Sequence, residues 1–257
     1  MTTALVTGAS TGIGRELSRL FALEGTNLVL VARRVERLNT LAAEISSKHG
    51  VRVNVLAKDL SLPTSADEIH AELGRQAIEV DILVNNAGAQ VYGPFHEVDA
   101  DRLLQLIQLN LVSLTRLTRL FLHGMIERGH GHILNLGSTG SFAPGPLNAV
   151  YCASKAYVLS FTEAIAEELA GTGITVTALC PGATVTEFAK RAGIEDVRLF
   201  RMSGMDAVKV ARAGHQALLR GRRVVVPGLA NKLTVLSAAF LPRRLVTKVS
   251  RVLMSRA

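Results

Sequence analysis

Two stretches of this 257-residue chain carry residues whose types and spacing could do chemistry. Tyr151-Cys152-Ala153-Ser154-Lys155 sets a phenol and an ammonium four positions apart. Residues at that spacing share a helix face, so the ammonium would lie near the phenol. A free phenol titrates at about pH 10, and a neighbouring cation favours phenolate and lowers that value. The pair would then exchange a proton nearer neutral pH, as interconverting a carbonyl and an alcohol requires. The second stretch is Thr7-Gly8-Ala9-Ser10-Thr11-Gly12-Ile13-Gly14, between a short apolar run and a helical pattern. Glycines there let the chain turn tightly and let a pyrophosphate approach the backbone. The N–H groups that open the helix then face the anion. The spacing is Gly-x-x-x-Gly-x-Gly, a nucleotide-binding turn when it joins strand to helix.

The end of the second apolar run bears on which dinucleotide would fit. An NAD site wants an acid there for the ribose 2′-hydroxyl. Val31 is followed instead by Ala32-Arg33-Arg34, with no acid before Glu36. Guanidiniums grip a phosphate bidentately, so Arg33 and Arg34 predict NADP(H), with Arg33 in direct contact and Ser10 able to donate to the same phosphate.

These residues need a scaffold, and the pattern around them predicts one. Apolar runs occur at Ala4–Thr7, Asn27–Val31, Val51–Leu56, Asp81–Val84, His132–Leu136, Thr175–Leu179 and Val224–Val226. Strands covered by helices on both faces look like this. Helical periods lie between them, with Leu17, Leu20, Phe21 and Ala22 on one side of the first and Leu38, Leu41, Ala42 and Ile45 on one side of the second. Asp99–Glu127 contains no Pro and fits one long helix. The alternation predicts an α/β, doubly wound Rossmann fold: one domain with a mostly parallel sheet of about seven strands. Residues 1–228 form the dinucleotide-binding and catalytic part. Residues 229–257 extend it with an apolar helix over Leu229–Leu241 and a basic amphipathic one over Arg243–Ser255.

With Tyr-x-x-x-Lys in place, the chain resembles the short-chain dehydrogenase/reductase family from about Thr3 to Arg198. The motifs stand in the family's order: Thr7–Gly14, Asp59-Leu60, Asn85-Asn86-Ala87-Gly88, Ser138 with Tyr151 and Lys155, and Pro181-Gly182. The resemblance implies that Tyr151 is the general acid. Lys155 would lower its pKa and hold the nicotinamide ribose. Ser138 would polarise the substrate oxygen, and Asn110 would anchor a water in the proton relay. For the cofactor it implies Gly8, Gly12 and Gly14 at the pyrophosphate, with Thr11 beside them and Ile13 packing at the helix start. Asp59 and Leu60 would hold adenine, and Asn86, Ala87 and Gly88 the adenosine side. Pro181, Gly182, Thr184 and Thr186 would hold the carboxamide. Thr11 departs from the basic residue that some NADP-using members carry, which leaves phosphate selectivity to Arg33 and Arg34. The function implied is NADP(H)-dependent interconversion of a carbonyl and a secondary alcohol. A non-catalytic dinucleotide-binding sensor or scaffold is the alternative, and homodimers or homotetramers are implied.

Composition sets the outer bounds. The chain is 48% hydrophobic and 19% charged, which excludes a disordered chain and a disulfide scaffold. Cys152 and Cys180 fit a reducing, cytoplasmic setting. No export signal or transmembrane run is expected. No metal is expected either; His130 and His132 only flank a glycine before a strand. Phe142, Val91, Tyr92, Phe188 and Phe200 suggest an apolar substrate pocket. Charge is uneven: residues 201–257 hold twelve Lys or Arg against Asp206 alone, a net +11, whereas residues 1–200 sum to −3. That tail reads as a solvated helical face, or as contact with an anionic membrane, an acidic substrate or a partner. Nucleic acid is not expected, because no aromatic residues interleave the basic ones.

Overall fold

Strand and helix alternate along the computed structural model, which describes residues 2–202 and 204–256. In chain order the elements are β1 (Thr3–Thr7), α1 (Gly12–Leu23), β2 (Asn27–Ala32), α2 (Val35–His49), β3 (Val53–Ala57), α3 (Ser65–Arg75), β4 (Ile82–Asn85), α4 (Ala100–Ile107), α5 (Ser113–Arg128), β5 (Gly131–Leu136) and α6 (Ala149–Glu168). Then follow β6 (Ile174–Leu179), β7 (Thr184–Val185), α7 (Glu187–Ala192), α8 (Arg198–Met202), β8 (Met205–Asp206), α9 (Ala207–Leu219), β9 (Val224–Val225), α10 (Leu229–Phe240) and α11 (Arg243–Met254). The main sheet runs β3-β2-β1-β4-β5-β6-β9, every pair parallel. All seven apolar runs read as strands are in it.

Side-chain alternation divides the core into two layers. Ala4, Val6, Leu28 and Leu30 meet Leu17 and Phe21 of α1, Leu38 of α2 and Val210 of α9. Leu5, Val29 and Val31 point the other way, toward Ile69 of α3, Leu117 and Phe121 of α5, and Ile165 of α6. Successive strand residues face opposite sides, so each strand must be apolar throughout. The order reverses between β1 and β4, and a cleft opens there beyond the strands' carboxyl ends.

Two features differ from the sequence reading. The stretch Asp99–Glu127 is not one regular helix: a π-turn at Gln108–Val112 separates α4 from α5, with Asn110 buried inside it. Asn110 explains the break. Its Oδ1 accepts from Ala89 N (2.9 Å), and its Nδ2 donates to Ala89 O (2.9 Å) and Ser154 Oγ (3.1 Å). Helical periodicity does not show such a turn, which is common at functional positions. The second difference is a small parallel ladder of β7 with β8, which ties the two ends of the segment covering the cleft.

Buried polar side chains lock the elements under the cleft. Asn85 Nδ2 donates to Thr118 Oγ1 (3.0 Å) and Asn135 Oδ1 (2.9 Å), and Asn135 Nδ2 donates to Thr162 Oγ1 (3.0 Å). This chain joins β4, β5, α5 and α6, and loss of one member would strand buried polar atoms at about 1–3 kcal/mol each.

Candidate active site

The glycine-rich turn closes on itself through β4. Gly8 and Gly12 have φ of +65° and +58°, a region that disfavours side chains. Thr7 Oγ1 accepts from Asn86 N (2.9 Å) and Ala87 N (3.0 Å), and Asn86 Nδ2 donates to Thr7 O (2.8 Å). A Cβ on Gly14 would lie 2.4 Å from Asn86 Nδ2 and 2.6 Å from Gly8 O. Asn86 and Gly14 thus fix the turn's shape. Helix α1 starts with no acid in its first turn and no side-chain cap, so its opening N–H groups remain for an anion.

Gly8, Ser10, Thr11, Gly12 and Ile13 line the cleft, as do Arg33, Arg34, Asp59, Leu60, Asn86, Ala87 and Gly88. Its far wall holds Ser138, Tyr151, Lys155, Pro181, Gly182, Thr184 and Thr186. Two expected residues stand behind the wall: Gly14 is buried packing, and Asn110 braces Ala89. Through these three bonds the Asn110 side chain positions the wall. Thr186 Oγ1 accepts from Phe188 N (3.3 Å) to cap α7, and Thr184 Oγ1 donates to Gly182 O (3.0 Å).

Six arginine and acid side chains meet at the mouth nearest β2. Arg33 lies 3.7 Å from Asp59, whose other oxygen accepts from Ser61 Oγ (2.7 Å). Arg34 Nη1 donates to Glu187 (3.0 Å), and Arg37 pairs with the same carboxylate. Arg34 Nη2 is buried with no partner, an orphaned donor at the edge of the cleft. Arg191 lines the cleft too, and its pKa is lowered by burial and by the charge of Arg34, Arg33 and Arg37. Four guanidiniums held together with two carboxylates, and one donor unmatched, fit a group that brings negative charge. Sequence reading found Arg33 and Arg34. Arg37 follows one helical turn after Arg33 and could have been found. Arg191 comes from a non-local segment, and no local pattern marks it.

At the other end stand the groups that could move a proton. Lys155 is 4% exposed, with Nζ donating to Leu136 O (2.7 Å) and lying 5.8 Å from the Tyr151 ring centre. Burial drives its pKa down to about 8, opposed by Cys180. Burial pushes the Tyr151 phenol above its ordinary value, while the facing Ser138 hydroxyl pulls it down. Burial thus opposes the lowering expected from a neighbouring Lys155. Loss of hydration on burial disfavours both charged forms. Ser138 Oγ accepts from Gly140 N (3.0 Å), which fixes the hydroxyl beside the phenol. Burial also raises the Cys152 and Cys180 thiols to about 11, so neither is a nucleophile near neutral pH.

The apolar pocket differs in membership from the expected set. Phe188 and Phe200 line the cleft, with Leu199 and Met254, but Phe142, Val91 and Tyr92 are not among its lining residues. Tyr92 instead donates its hydroxyl to Met254 O (2.6 Å), holding the end of α11 against the cleft. Met254 escaped sequence reading because it lies about a hundred residues from Tyr151.

Comparisons with known proteins agree with this geometry. A family model described as short chain dehydrogenase matches residues 2–196. A very-long-chain 3-oxoacyl-CoA reductase of Pyrenophora tritici-repentis is 36% identical over 193 residues, 74% of this chain and 57% of that protein. The chain spans little more than half the length of such curated relatives. Among solved structures, a short-chain dehydrogenase from Sphingobium yanoikuyae in complex with NADPH is 36% identical, with a TM-score of 0.84 over 93% of both chains. A bulky-bulky ketone specific alcohol dehydrogenase from Comamonas testosteroni is 32% identical, with a TM-score of 0.80 over 93% of this chain and 92% of that one.

Proposed function

The chain belongs to the short-chain dehydrogenase family, and from that premise we propose that it is an NADP(H)-dependent reductase of apolar ketones. The observation that carries this reading is the convergence of the Ser138 hydroxyl, the Tyr151 phenol and the Lys155 ammonium on one wall of a cleft whose other end is an arginine cluster. The relatives' descriptions as reductases and dehydrogenases support it. A sensor or scaffold would not need a buried lysine that costs stability.

The residues fit a dinucleotide. The glycine turn and the start of α1 would hold its pyrophosphate. Arg33 and Arg34 would hold the 2′-phosphate, Asp59 and Leu60 the adenine, and Pro181, Gly182, Thr184 and Thr186 the carboxamide. When bound, the nicotinamide supplies hydride to the carbonyl carbon or takes it back. Ser138 donates a hydrogen bond to the substrate oxygen and fixes its position. Tyr151 donates its phenolic proton to that oxygen as the alcohol forms. Lys155 would hold the ribose hydroxyls and keeps positive charge behind the phenol. Asn110 braces Ala89 beside them. Phe188, Leu199, Phe200 and Met254 exclude water and accept an apolar substituent.

The protonation states set a direction. A phenol raised above its ordinary pKa stays protonated at neutral pH, which suits reduction. Oxidation needs phenolate and gains as pH rises. Reduction needs the Lys155 charge, and that charge is lost above a pKa of about 8. The expected result is kcat/KM for ketone reduction that is flat at neutral pH and falls above about pH 8, while alcohol oxidation climbs across the same range. Measuring both directions over one buffer series checks it. Oxidation that is fastest at neutral pH would count against the assignment.

A homodimer or homotetramer through α4–α6 is part of this reading, supported by exposed Leu104, Ile126 and Tyr157 on those helices and Val112 in the π-turn between them. A cytoplasmic setting is supported by two buried free cysteines. No helix among the described residues is long and apolar enough to cross a membrane.

A further inference from the structure

Helices α10 and α11 turn apolar and basic side chains outward together. In α10 no residue is buried, and Leu229, Leu233, Leu236 and Phe240 form one stripe at helical spacing, 55–81% exposed. In α11 the inner face is set by Val246 and Met254, while Leu245, Val249 and Val252 form a second outward stripe, 46–55% exposed. Arg244, Lys248 and Arg251 form a row one position round the helix from it. Leu229 through Arg256 holds six Lys or Arg and no acid.

The inner side of the same unit is anchored to the cleft. Asn231 presses on Gly182, where a Cβ would meet its Oδ1 at 2.4 Å, and Asn231 Nδ2 donates to Pro227 O (2.7 Å). At the far end Met254 lines the cleft, and Arg256 pairs with Asp196 (3.2 Å). The outward stripes are therefore fixed in place on a folded support.

We infer that the outer face of α10 and α11 seats on an anionic lipid surface. Apolar stripes bordered by Lys and Arg match an interfacial helix, whose leucines enter the acyl boundary while its cations meet headgroups. A second copy on this face fits less well, because a two-fold contact would bring like-charged rows together. The inference stands apart from the activity proposed above, since it uses none of the cleft's chemistry.

Sedimentation of the full chain with two kinds of vesicle tests it. One is phosphatidylcholine alone, and in the other about a third of the lipid is phosphatidylserine. Sedimentation with the anionic vesicles only, reversed by added salt, is expected. The triple variant Leu233→Ser, Leu236→Ser, Phe240→Ser should bind about tenfold more weakly or worse. Arg244→Ala, Lys248→Ala, Arg251→Ala should bind about a hundredfold more weakly. Unfolding temperatures should be unchanged, because every altered side chain is solvent-facing. Equal sedimentation with both vesicles, or undiminished binding by both variants, overturns the inference. So does a wild-type particle mass by light scattering that halves in the leucine variant, which would make a second copy the occupant.

Discussion

Tyr151→Phe is expected to lower kcat for ketone reduction about a thousandfold while leaving NADPH affinity within about twofold. The substitution deletes one oxygen from the cleft wall. The ring keeps its place against Phe188, 6.1 Å between centres. A positioned general acid contributes about 10²–10⁴ in rate, and a thousandfold is about 4 kcal/mol of barrier. No other group facing the substrate oxygen can replace the proton: Ser138 is a far weaker acid, and the Lys155 ammonium stands behind the phenol, donating to Leu136 O. Steady-state kinetics with a fluorescence titration of NADPH separates the two effects. A variant that keeps more than a tenth of the activity would move the acid role elsewhere.

Arg33→Ala is expected to weaken NADPH binding about 10- to 100-fold and to leave NADH unaffected. One charge-assisted bond to a phosphate is worth about 1.5–3 kcal/mol. Arg33 is the guanidinium most free to give it. Its nearest carboxylate is 3.7 Å away, and its side chain is 65% exposed, whereas Arg34 is held by Glu187 at 3.0 Å. Titration calorimetry with both dinucleotides reads the change. If Arg33→Ala leaves NADPH binding intact and Arg191→Ala abolishes it, the phosphate seat lies on α7. If NADH binds wild type as tightly as NADPH, the reading of Ala32-Arg33-Arg34 fails.

Much of the architecture was legible because buried parallel strands must be apolar on both faces. Leu28 and Leu30 serve one layer, Val29 and Val31 the other, and the run is visible without a structure. The glycine turn was legible because its conformation restricts residue type at Gly8 and Gly12. The π-turn at Asn110 was not, since one side chain gripping Ala89 leaves the helical period intact. Electrostatics were legible only in part. Spacing put a cation beside the phenol, but only the structure shows that burial opposes charge on Tyr151 and Lys155. Arg191, Glu187, Leu199 and Met254 reach the cleft from segments whose placement depends on the β7–β8 ladder and on α11 packing. No window of local sequence contains that information.

Deuteride transfer is the most direct measurement of the central claim. The chain is incubated with NADPH deuterated at nicotinamide C4, each face in turn, and a panel of apolar ketones, and the products are examined by mass spectrometry. The account predicts a secondary alcohol with one deuteron on the carbinol carbon from one face only, formed about a thousandfold more slowly by the Tyr151→Phe variant. Tight NADPH binding with no labelled alcohol from any ketone would contradict it and leave a dinucleotide-binding protein without this catalysis.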